Sequence, residues 1–286
     1  MMKEKQMPAV YRKKKTRRSL KPKLTVPIAG KDYELNLPGD ALSYSQISRY
    51  LGCGIRYEFE YVQGLKPAPT VHQVEGSILA KALEASNKRF MAKEKHLNRA
   101  QARKAYSEAF AELSSTIEDW LDQTPPGVRQ RGLNFIDEFW GEEGPPMEPE
   151  AAEDVWNIEI AGVPVTGITD LVEPGNVTDF KVGKDARYYD PTKSLQLALY
   201  SLVHRKLRVG FIIFQKKDGR IVEKYETIEP DETKRIVGFT VARVAQAISA
   251  GAFPPCDEGY NWCSKKWCPH WAYCKGAPGR CFQRVG

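Results

Sequence analysis

Three short apolar stretches separated by two tight turns constrain the fold more than any other feature of this sequence. The stretches have the length and β-branched content of strands, and they lie at residues 155–160, 163–172 and 177–182. Ala161-Gly162 and the Pro-Gly-Asn sequence at 174–176 lie between them and favour chain reversal. The pattern therefore predicts three consecutive antiparallel strands.

Helical patterns surround these strands. Ser43 and Gln46 have the spacing of a capping box, and residues 72–121 are rich in helix-forming Ala, Glu, Lys and Leu. Pro125-Pro126-Gly127 is expected to end that helical stretch, and an acidic loop or hinge should follow at 141–153.

Further elements are expected after the three strands. Asp190 followed by Pro191 predicts the start of a helix. Two more strands are predicted at 209–215 and 221–228, followed by a helix at 231–251. The fold class is therefore α/β with a mixed central sheet and an N-terminal helical part.

Four segments follow from these patterns. We expect a basic disordered tail at 1–23, a hairpin and helical part at 24–152, an α/β core at 153–250 and a cysteine-rich region at 251–286.

The basic character of the chain is concentrated in its first 23 residues. They contain ten Lys or Arg and one Glu, whereas the whole chain has a formal net charge of +7. The remainder is therefore close to neutral. Such a tail favours contact with nucleic-acid phosphates, although a targeting signal or a solubility tail also fits it.

Two aspartates and a lysine on the predicted strands indicate chemistry. Strands joined by a tight turn bring Asp170 and Asp179 close together, and two such carboxylates repel unless a cation lies between them. Oxygen ligands favour Mg²⁺ or Mn²⁺. Lys181 lies two residues after Asp179 and so shares its face of the strand. This combination suits phosphodiester hydrolysis, and the alternative is a surface pair of aspartates with a salt-bridged lysine.

The wider sequence resembles the RecB-like nucleases of the PD-(D/E)xK superfamily over most of residues 43–274. The resemblance is carried by an aromatic opening segment from Ser43 to Tyr61, by Gly167 to Asp170, by Asp179-Phe180-Lys181, and by Gln196 and Tyr200 four residues apart. It implies a restriction-endonuclease-like core and makes 153–250 the nuclease core. It also implies that Asp170, Asp179 and the Phe180 carbonyl bind metal, that Lys181 is catalytic, and that Gln196 and Tyr200 position Lys181 or the DNA.

One position departs from the family pattern. The family usually carries Gly-x-x-x-His on an early helix, with the histidine as a metal ligand, but here Gly76 is followed by Ala80. Glu84 is one turn further along the same helical face and could replace that ligand. Glu75 and His72 are further candidates, and loss of catalytic activity is the alternative outcome.

Five of the six cysteines fall in the last 31 residues, which indicates a metal site more than separate thiols or disulfides. The spacing lacks Cys-x2-Cys pairs, which disfavours zinc without excluding it. The resemblance implies a 4Fe-4S cluster, because several RecB-like nucleases hold one with an N-terminal and three C-terminal cysteines. The implied ligands are Cys53, Cys263, Cys268 and Cys274. The region 251–286 would then pack back on Cys53. Cys256 and Cys281 would not be ligands in this set, although either could replace one of the four.

The expected function is a metal-dependent DNA nuclease that acts on free ends or single strands, in recombination, repair or the processing of foreign DNA. DNA is the expected partner, with a recombination or processing complex as a further possibility. The alternative is a catalytically inactive DNA-binding accessory protein with an iron–sulfur cluster or zinc. A third possibility is a protein-interaction module that zinc stabilises and that has no nucleic-acid role. No apolar run has the roughly 20 residues of a membrane span, and no signal peptide is recognised, so a cytoplasmic location is expected.

Overall fold

The computed structural model describes residues 35–93, 95–256, 263–265, 267–272 and 274. The predicted basic tail, most of the predicted N-terminal hairpin and Cys281 lie outside these residues. Within the described part of the chain, no helix has both the length and the apolar content needed to cross a membrane.

The N-terminal part is helical, as predicted. Its helices are α1 (Tyr44–Gly52), α2 (Gly54–Tyr57), which continues as a π-helical turn at Glu58–Val62, α3 (Val71–Lys93), α4 (Arg99–Leu113) and α5 (Pro125–Phe139). The Ser43 hydroxyl accepts the N–H of Gln46, and the Gln46 side chain accepts the N–H of Ser43, so the predicted capping box is confirmed. This box fixes where α1 begins.

The strands form a single mixed sheet. They are β1 (Leu42–Ser43), β2 (Ala151–Ile160), β3 (Val163–Val172), β4 (Asn176–Gly183), β5 (Arg208–Gln215) and β6 (Ile221–Thr227). The consecutive strands β2, β3 and β4 are antiparallel, β5 is parallel to β4, and β6 is antiparallel to β5. The crossover between β4 and β5 contains α6 (Leu195–His204), and α7 (Pro230–Ser249) follows β6.

The sheet separates two apolar cores. Side chains alternate along β5, so that Phe211 and Ile213 join one core while Ile212 and Phe214 join the other. The first core is covered by α1, α6 and α7, and the second by α3, α4 and α5. The molecule is therefore layered helix–sheet–helix, with β4 and β5 buried between the helical layers.

Two local predictions were wrong in a physically clear way. Pro125 begins helix α5, because proline is tolerated in the first turn and the Thr124 hydroxyl accepts the N–H of Gly127. Asp190 caps only a single 3₁₀ turn at Pro191–Lys193, and α6 begins afterwards with Ser194 as its N-cap. In both places the sequence carries a valid capping signal, but only tertiary packing decides which element it starts.

Two strands, β1 and β4, pair with different short parts of the same edge of β3. β2 pairs along the whole length of β3, while β1 pairs with Val165–Thr166 and β4 with Leu171–Val172 on the opposite edge. Between these contacts, no strand of the described chain pairs with residues 167–170 on that edge. β3 and β4 therefore diverge at the position of Asp170.

Candidate active site

The divergence of β3 and β4 brings Asp170 against the backbone of β4. Asp170 Oδ2 accepts the backbone N–H of Phe180 at 3.0 Å, replacing the ladder hydrogen bond that a regular β3–β4 pair would make. Gly167 lies on the same strand, and a Cβ there would lie 2.2 Å from the buried ring of Trp156. The glycine of this motif is therefore required by packing.

Asp179, Lys181, Gln196 and Tyr200 form one connected polar chain. Lys181 Nζ lies 2.5 Å from Asp179 Oδ2 and donates to Gln196 Oε1 at 3.0 Å. Gln196 Nε2 in turn donates to the Tyr200 hydroxyl at 2.8 Å. Gln196 and Tyr200 are adjacent on one face of α6, as their spacing predicts.

Burial gives this chain strongly perturbed electrostatics. Burial and the neighbouring Asp179 raise the pKa of Asp170 well above its ordinary value. Burial also raises the pKa of Asp179, against the opposing effect of Lys181. The pKa of Lys181, which burial alone would lower, is raised by Asp179 and Asp170. The lysine is therefore firmly protonated next to two carboxylates that resist joint ionisation.

The pair of aspartates fits a hard divalent cation. Asp179 is 1% exposed, and its Oδ2 meets no partner with hydrogen-bond geometry in the described chain, although Lys181 contacts it as an ion pair. The Lys181 ammonium compensates part of this buried charge, and two neighbouring carboxylates are the kind of oxygen ligands that a divalent cation prefers. The described residues contain no group of three or more His, Cys, Asp or Glu side chains arranged to hold a metal.

The three candidates for the ligand that Ala80 lacks have other partners. Glu84 forms ion pairs with Lys81 and Lys88 on α3. Glu75 is 2% exposed and is held by Arg131 at 2.7 Å and Lys216 at 2.6 Å. His72 lies 3.1 Å from Lys216 and 3.4 Å from Gln123 through its Nδ1.

Sequence patterns missed a further carboxylate beside Asp170. Ala152 pairs with Leu171 and Asp154 with Thr169, so Glu153 lies opposite Asp170 in the β2–β3 register. The sequence prediction placed Glu153 in the hinge before the first strand, because the apolar alternation begins only at Val155. Extending β2 backward to match the full length of β3 would have revealed it.

The cysteines that the resemblance selects converge on one pocket. Cys53, Cys263 and Cys268 line it, together with Cys256, and the neighbouring surface includes Cys274. None of these five thiols is in a disulfide. The sequence prediction did not include Cys256 among the ligands, whereas the structure places it against Cys53 and Cys263. Burial raises the pKa of Cys256, and these two thiols raise it further.

Contacts between α1–α2 and the chain after α7 explain this convergence. The Tyr50 hydroxyl donates to the Ala252 carbonyl at 2.6 Å, and the Ile55 N–H donates to the Pro254 carbonyl at 3.3 Å. Gly54 lies so close to Pro254 that a Cβ would be 2.7 Å from its backbone. The C-terminal segment is therefore fixed on the residues that flank Cys53.

A buried carboxylate, that of Glu60, holds the two arginines that line the cysteine pocket. Glu60 is 5% exposed and accepts from Arg49 at 2.9 Å and Arg56 at 2.7 Å, while His270 Nε2 lies 3.4 Å away. Arg49 and Arg56 both line the pocket. Burial raises the pKa of Cys268 although Arg56 opposes the rise, so these surroundings favour the thiol over the thiolate.

The comparisons with known proteins assign the family. The model of the PD-(D/E)XK nuclease superfamily matches residues 41–275. The chain therefore belongs to this superfamily, and its helix-flanked mixed sheet is the restriction-endonuclease-like core. PD-(D/E)XK nucleases generally use divalent metals.

Two solved structures are similar over most of their length. A proposed exonuclease from Eubacterium rectale is 15% identical, with 76% of this chain and 84% of that chain covered at a TM-score of 0.43. The protein SSO0001 is 16% identical, with 82% and 96% covered at a TM-score of 0.34. No curated protein matches the chain significantly. The family assignment rests on the family model.

Proposed function

We propose that the protein is a metal-dependent DNA nuclease that acts on DNA ends or single strands. The observation that carries this proposal is the polar chain of Asp179, Lys181, Gln196 and Tyr200, whose contacts measure 2.5–3.0 Å. It lies next to Asp170, which accepts the Phe180 N–H at 3.0 Å where β3 and β4 diverge. A surface pair of aspartates would not need a lysine held by the half-buried Gln196 and the buried Tyr200.

Each residue has a distinct role in this proposal. Asp170, Asp179 and the Phe180 carbonyl would hold Mg²⁺ or Mn²⁺, and that metal would supply Lewis-acid polarisation of the phosphate and a lower pKa for a water. Lys181 donates a hydrogen bond to the attacking water or stabilises the negative charge that develops on the phosphate. Gln196 fixes Lys181 through its Oε1, and Tyr200 fixes the amide of Gln196, so the ammonium group is held in place before substrate arrives.

Asp179 and Asp170 favour the protonated form of Lys181, because they raise its pKa against the lowering effect of burial. We propose that Lys181 acts as a charged hydrogen-bond donor, and that the proton of the attacking water passes to solvent or to a phosphate oxygen.

We further propose that Cys53, Cys263, Cys268 and Cys274 bind a 4Fe-4S cluster, with zinc as the alternative metal. The pocket that collects these thiols beside Arg49 and Arg56 supports this ligand type. A site of this kind joins α1–α2 to the chain after α7. Its metal would therefore stabilise the fold without touching the reacting phosphate.

The partner and compartment follow from the same proposal. DNA is the substrate, the basic tail adds phosphate contacts, and the protein acts in the cytoplasm in recombination, repair or foreign-DNA processing, with a processing complex as its setting. The alternative, an inactive DNA-binding accessory protein, is favoured by Ala80, where the family usually carries a metal-binding histidine.

Cleavage of labelled DNA separates these functions. Anaerobically purified protein is incubated with single-stranded and double-stranded DNA in Mg²⁺, Mn²⁺ or EDTA. We expect cleavage with either metal and none in EDTA. DNA binding without cleavage under every metal condition would establish the accessory protein instead.

A further inference from the structure

The loop at residues 184–194, which we call the β4–α6 loop, is tied to the active site at both of its ends. It begins directly after the strand that carries Lys181, and it ends at Ser194, the N-cap of the helix that carries Gln196. Lys181 Nζ donates to Gln196 Oε1 at 3.0 Å, so the loop leaves the active site and returns to it. A ligand bound along this loop would therefore lie close to the proposed reacting phosphate.

Hydrogen bonds from β5 and β6 hold the backbone of the β4–α6 loop. Gln215 Oε1 on β5 accepts the N–H of Ala186 at 2.7 Å. Lys224 Nζ on β6 donates to the carbonyls of Ala186 and Tyr189 at 2.8 and 3.0 Å. Tyr188 lies between these two anchored residues, in a 3₁₀ turn at Ala186–Tyr188. The backbone at Tyr188 is therefore positioned before any ligand binds, which lowers the entropic cost of binding.

The two adjacent tyrosines of the loop have opposite environments. The Tyr189 ring packs edge-on against Phe211 at 5.7 Å between centroids, and Phe211 also lies 5.8 Å from Lys181 Nζ. Gly183 leaves room for the Tyr189 hydroxyl, since a Cβ there would lie 2.2 Å from it. Tyr188, by contrast, is 73% exposed and is the most exposed large hydrophobic side chain in the described part of the chain. The inward tyrosine thus fixes the loop near Lys181, and the outward one presents an aromatic ring to solvent.

Fixed positive charge accompanies the exposed ring. Asp185 is 4% exposed, and it forms ion pairs with Lys217 at 2.8 Å and with Arg187 at 3.0 Å. Lys217 and Arg187 hold the pKa of Asp185 below its ordinary value, so this carboxylate stays ionised. Both cationic side chains remain accessible to solvent. Two accessible cations that share one buried carboxylate leave a net positive charge beside Tyr188.

We propose that the β4–α6 loop is a binding surface for unpaired DNA bases, in which the Tyr188 ring stacks on a base while Arg187 and Lys217 contact neighbouring phosphates. This inference rests on the proposed function, because it takes the DNA strand to run past Lys181. An aromatic ring beside positive charge is the combination that binds single strands without reading their sequence, because every base has a π face. The loop would hold the strand whose phosphate reaches the active site.

Stacking on Tyr188 selects single strands over duplexes. In a duplex each base is paired and stacked between its neighbours, so its face reaches a protein ring only after the base is flipped out. A single strand or a frayed end presents that face without this cost. Tyr188 should therefore contribute to the affinity for single strands and little to the affinity for duplexes.

DNA binding without metal tests this proposal independently of cleavage. Fluorescence anisotropy in EDTA measures the affinity of the full chain for a labelled single strand and for its duplex. We expect Tyr188→Ala to bind the single strand at least about fivefold more weakly, with its duplex affinity and melting temperature unchanged. Tyr188→Phe, which keeps the ring, and Phe239→Ala, which removes an exposed ring on α7, should bind as the wild type does. Wild-type single-strand affinity in Tyr188→Ala, or equal weakening for the duplex, would overturn the proposal.

Abasic strands separate stacking from an indirect effect on the loop. Single nucleotides of the strand are replaced one at a time by abasic ones, and each strand is titrated with the wild type and with Tyr188→Ala. We expect a position at which loss of the base weakens binding to the wild type but not to Tyr188→Ala, because the same contact is already missing. If every abasic position weakens both proteins equally, no base stacks on Tyr188 and the proposal is wrong.

Cleavage by the wild type in Mn²⁺ distinguishes failure of this inference from failure of the proposed function. If the wild type cleaves and Tyr188→Ala binds single strands normally, the nuclease stands and the base-binding surface is wrong. If the wild type does not cleave with any metal but Tyr188→Ala loses single-strand affinity, the nuclease is wrong and the β4–α6 loop is the DNA contact of an accessory protein.

Discussion

Replacing Asp170 by asparagine should stabilise the metal-free protein, although it removes a proposed metal ligand. The variant keeps the shape of the side chain, and its Oδ1 can still accept the N–H of Phe180. It removes the repulsion between Asp170 and Asp179, and it leaves the ion pair of Asp179 with Lys181 intact. If the pair binds metal as proposed, the bound cation would relieve this repulsion in the native protein.

The size of this effect follows from the electrostatics of the pair. Each unit by which folding raises a carboxyl pKa costs about 1.4 kcal/mol of stability at neutral pH. Relief of such active-site strain is typically worth about 0.5–2 kcal/mol. For a domain of this size each kcal/mol shifts the melting temperature by about 2–4 °C. We therefore expect Asp170→Asn to melt up to about 8 °C higher than the wild type in EDTA.

The pH dependence of this difference has a definite sign. Folding raises the pKa values of Asp170 and Asp179, so above about pH 3.9 the native pair retains a proton that the unfolded chain has lost. Wild-type stability therefore falls relative to Asp170→Asn as the pH rises through this window, and the two converge at lower pH. Calorimetric scans from pH 4 to 8 in EDTA measure the gap. Equal or lower stability of Asp170→Asn at pH 7 would refute the repulsion argument.

Three further outcomes are expected. Protein purified without oxygen should be brown and contain about four irons per chain. Iron analysis should show that Cys53→Ala loses the iron, and this variant should unfold at a lower temperature, whereas Cys256→Ala should keep its iron. If instead Cys256→Ala loses the iron and Cys53→Ala keeps it, Cys256 is the ligand and Cys53 is not. Deleting residues 1–23 should weaken DNA binding and flatten its salt dependence in a fluorescence titration, and an unchanged slope would assign the tail to another role. Gly167→Ala should destabilise the fold by about 1–3 kcal/mol, because its Cβ would overlap the Trp156 ring; urea denaturation with an unchanged midpoint would contradict that packing.

Local signals carried much of the fold prediction. Three strands, two of which carry Asp170 and Lys181, were recognisable because β-branched stretches alternate with turn residues over short distances. The structure confirms antiparallel β2, β3 and β4. The spacing of Gln196 and Tyr200 correctly placed both on one helical face. These features depend on neighbours in sequence, where periodicity and turn chemistry are informative.

Features that depend on distant residues were not predictable in this way. The divergence of β3 from β4 arises because β1 occupies part of the same edge, a contact between residues more than 120 positions apart. The position of Glu153 depends on strand register, and the place of Cys256 beside Cys53 depends on how the chain after α7 packs on Gly54. Periodicity carries no information about such contacts.

Single-turnover cleavage by Lys181→Ala tests the central claim most directly. The matched control is Lys184→Ala, which removes an exposed lysine just after the same strand. Labelled single-stranded DNA is cut with Mn²⁺ while binding is followed separately by fluorescence anisotropy. The account predicts that Lys181→Ala cleaves about 10²–10³-fold more slowly, with DNA affinity nearly unchanged and Lys184→Ala close to wild type. Wild-type cleavage by Lys181→Ala would contradict the assignment of a nuclease to this site.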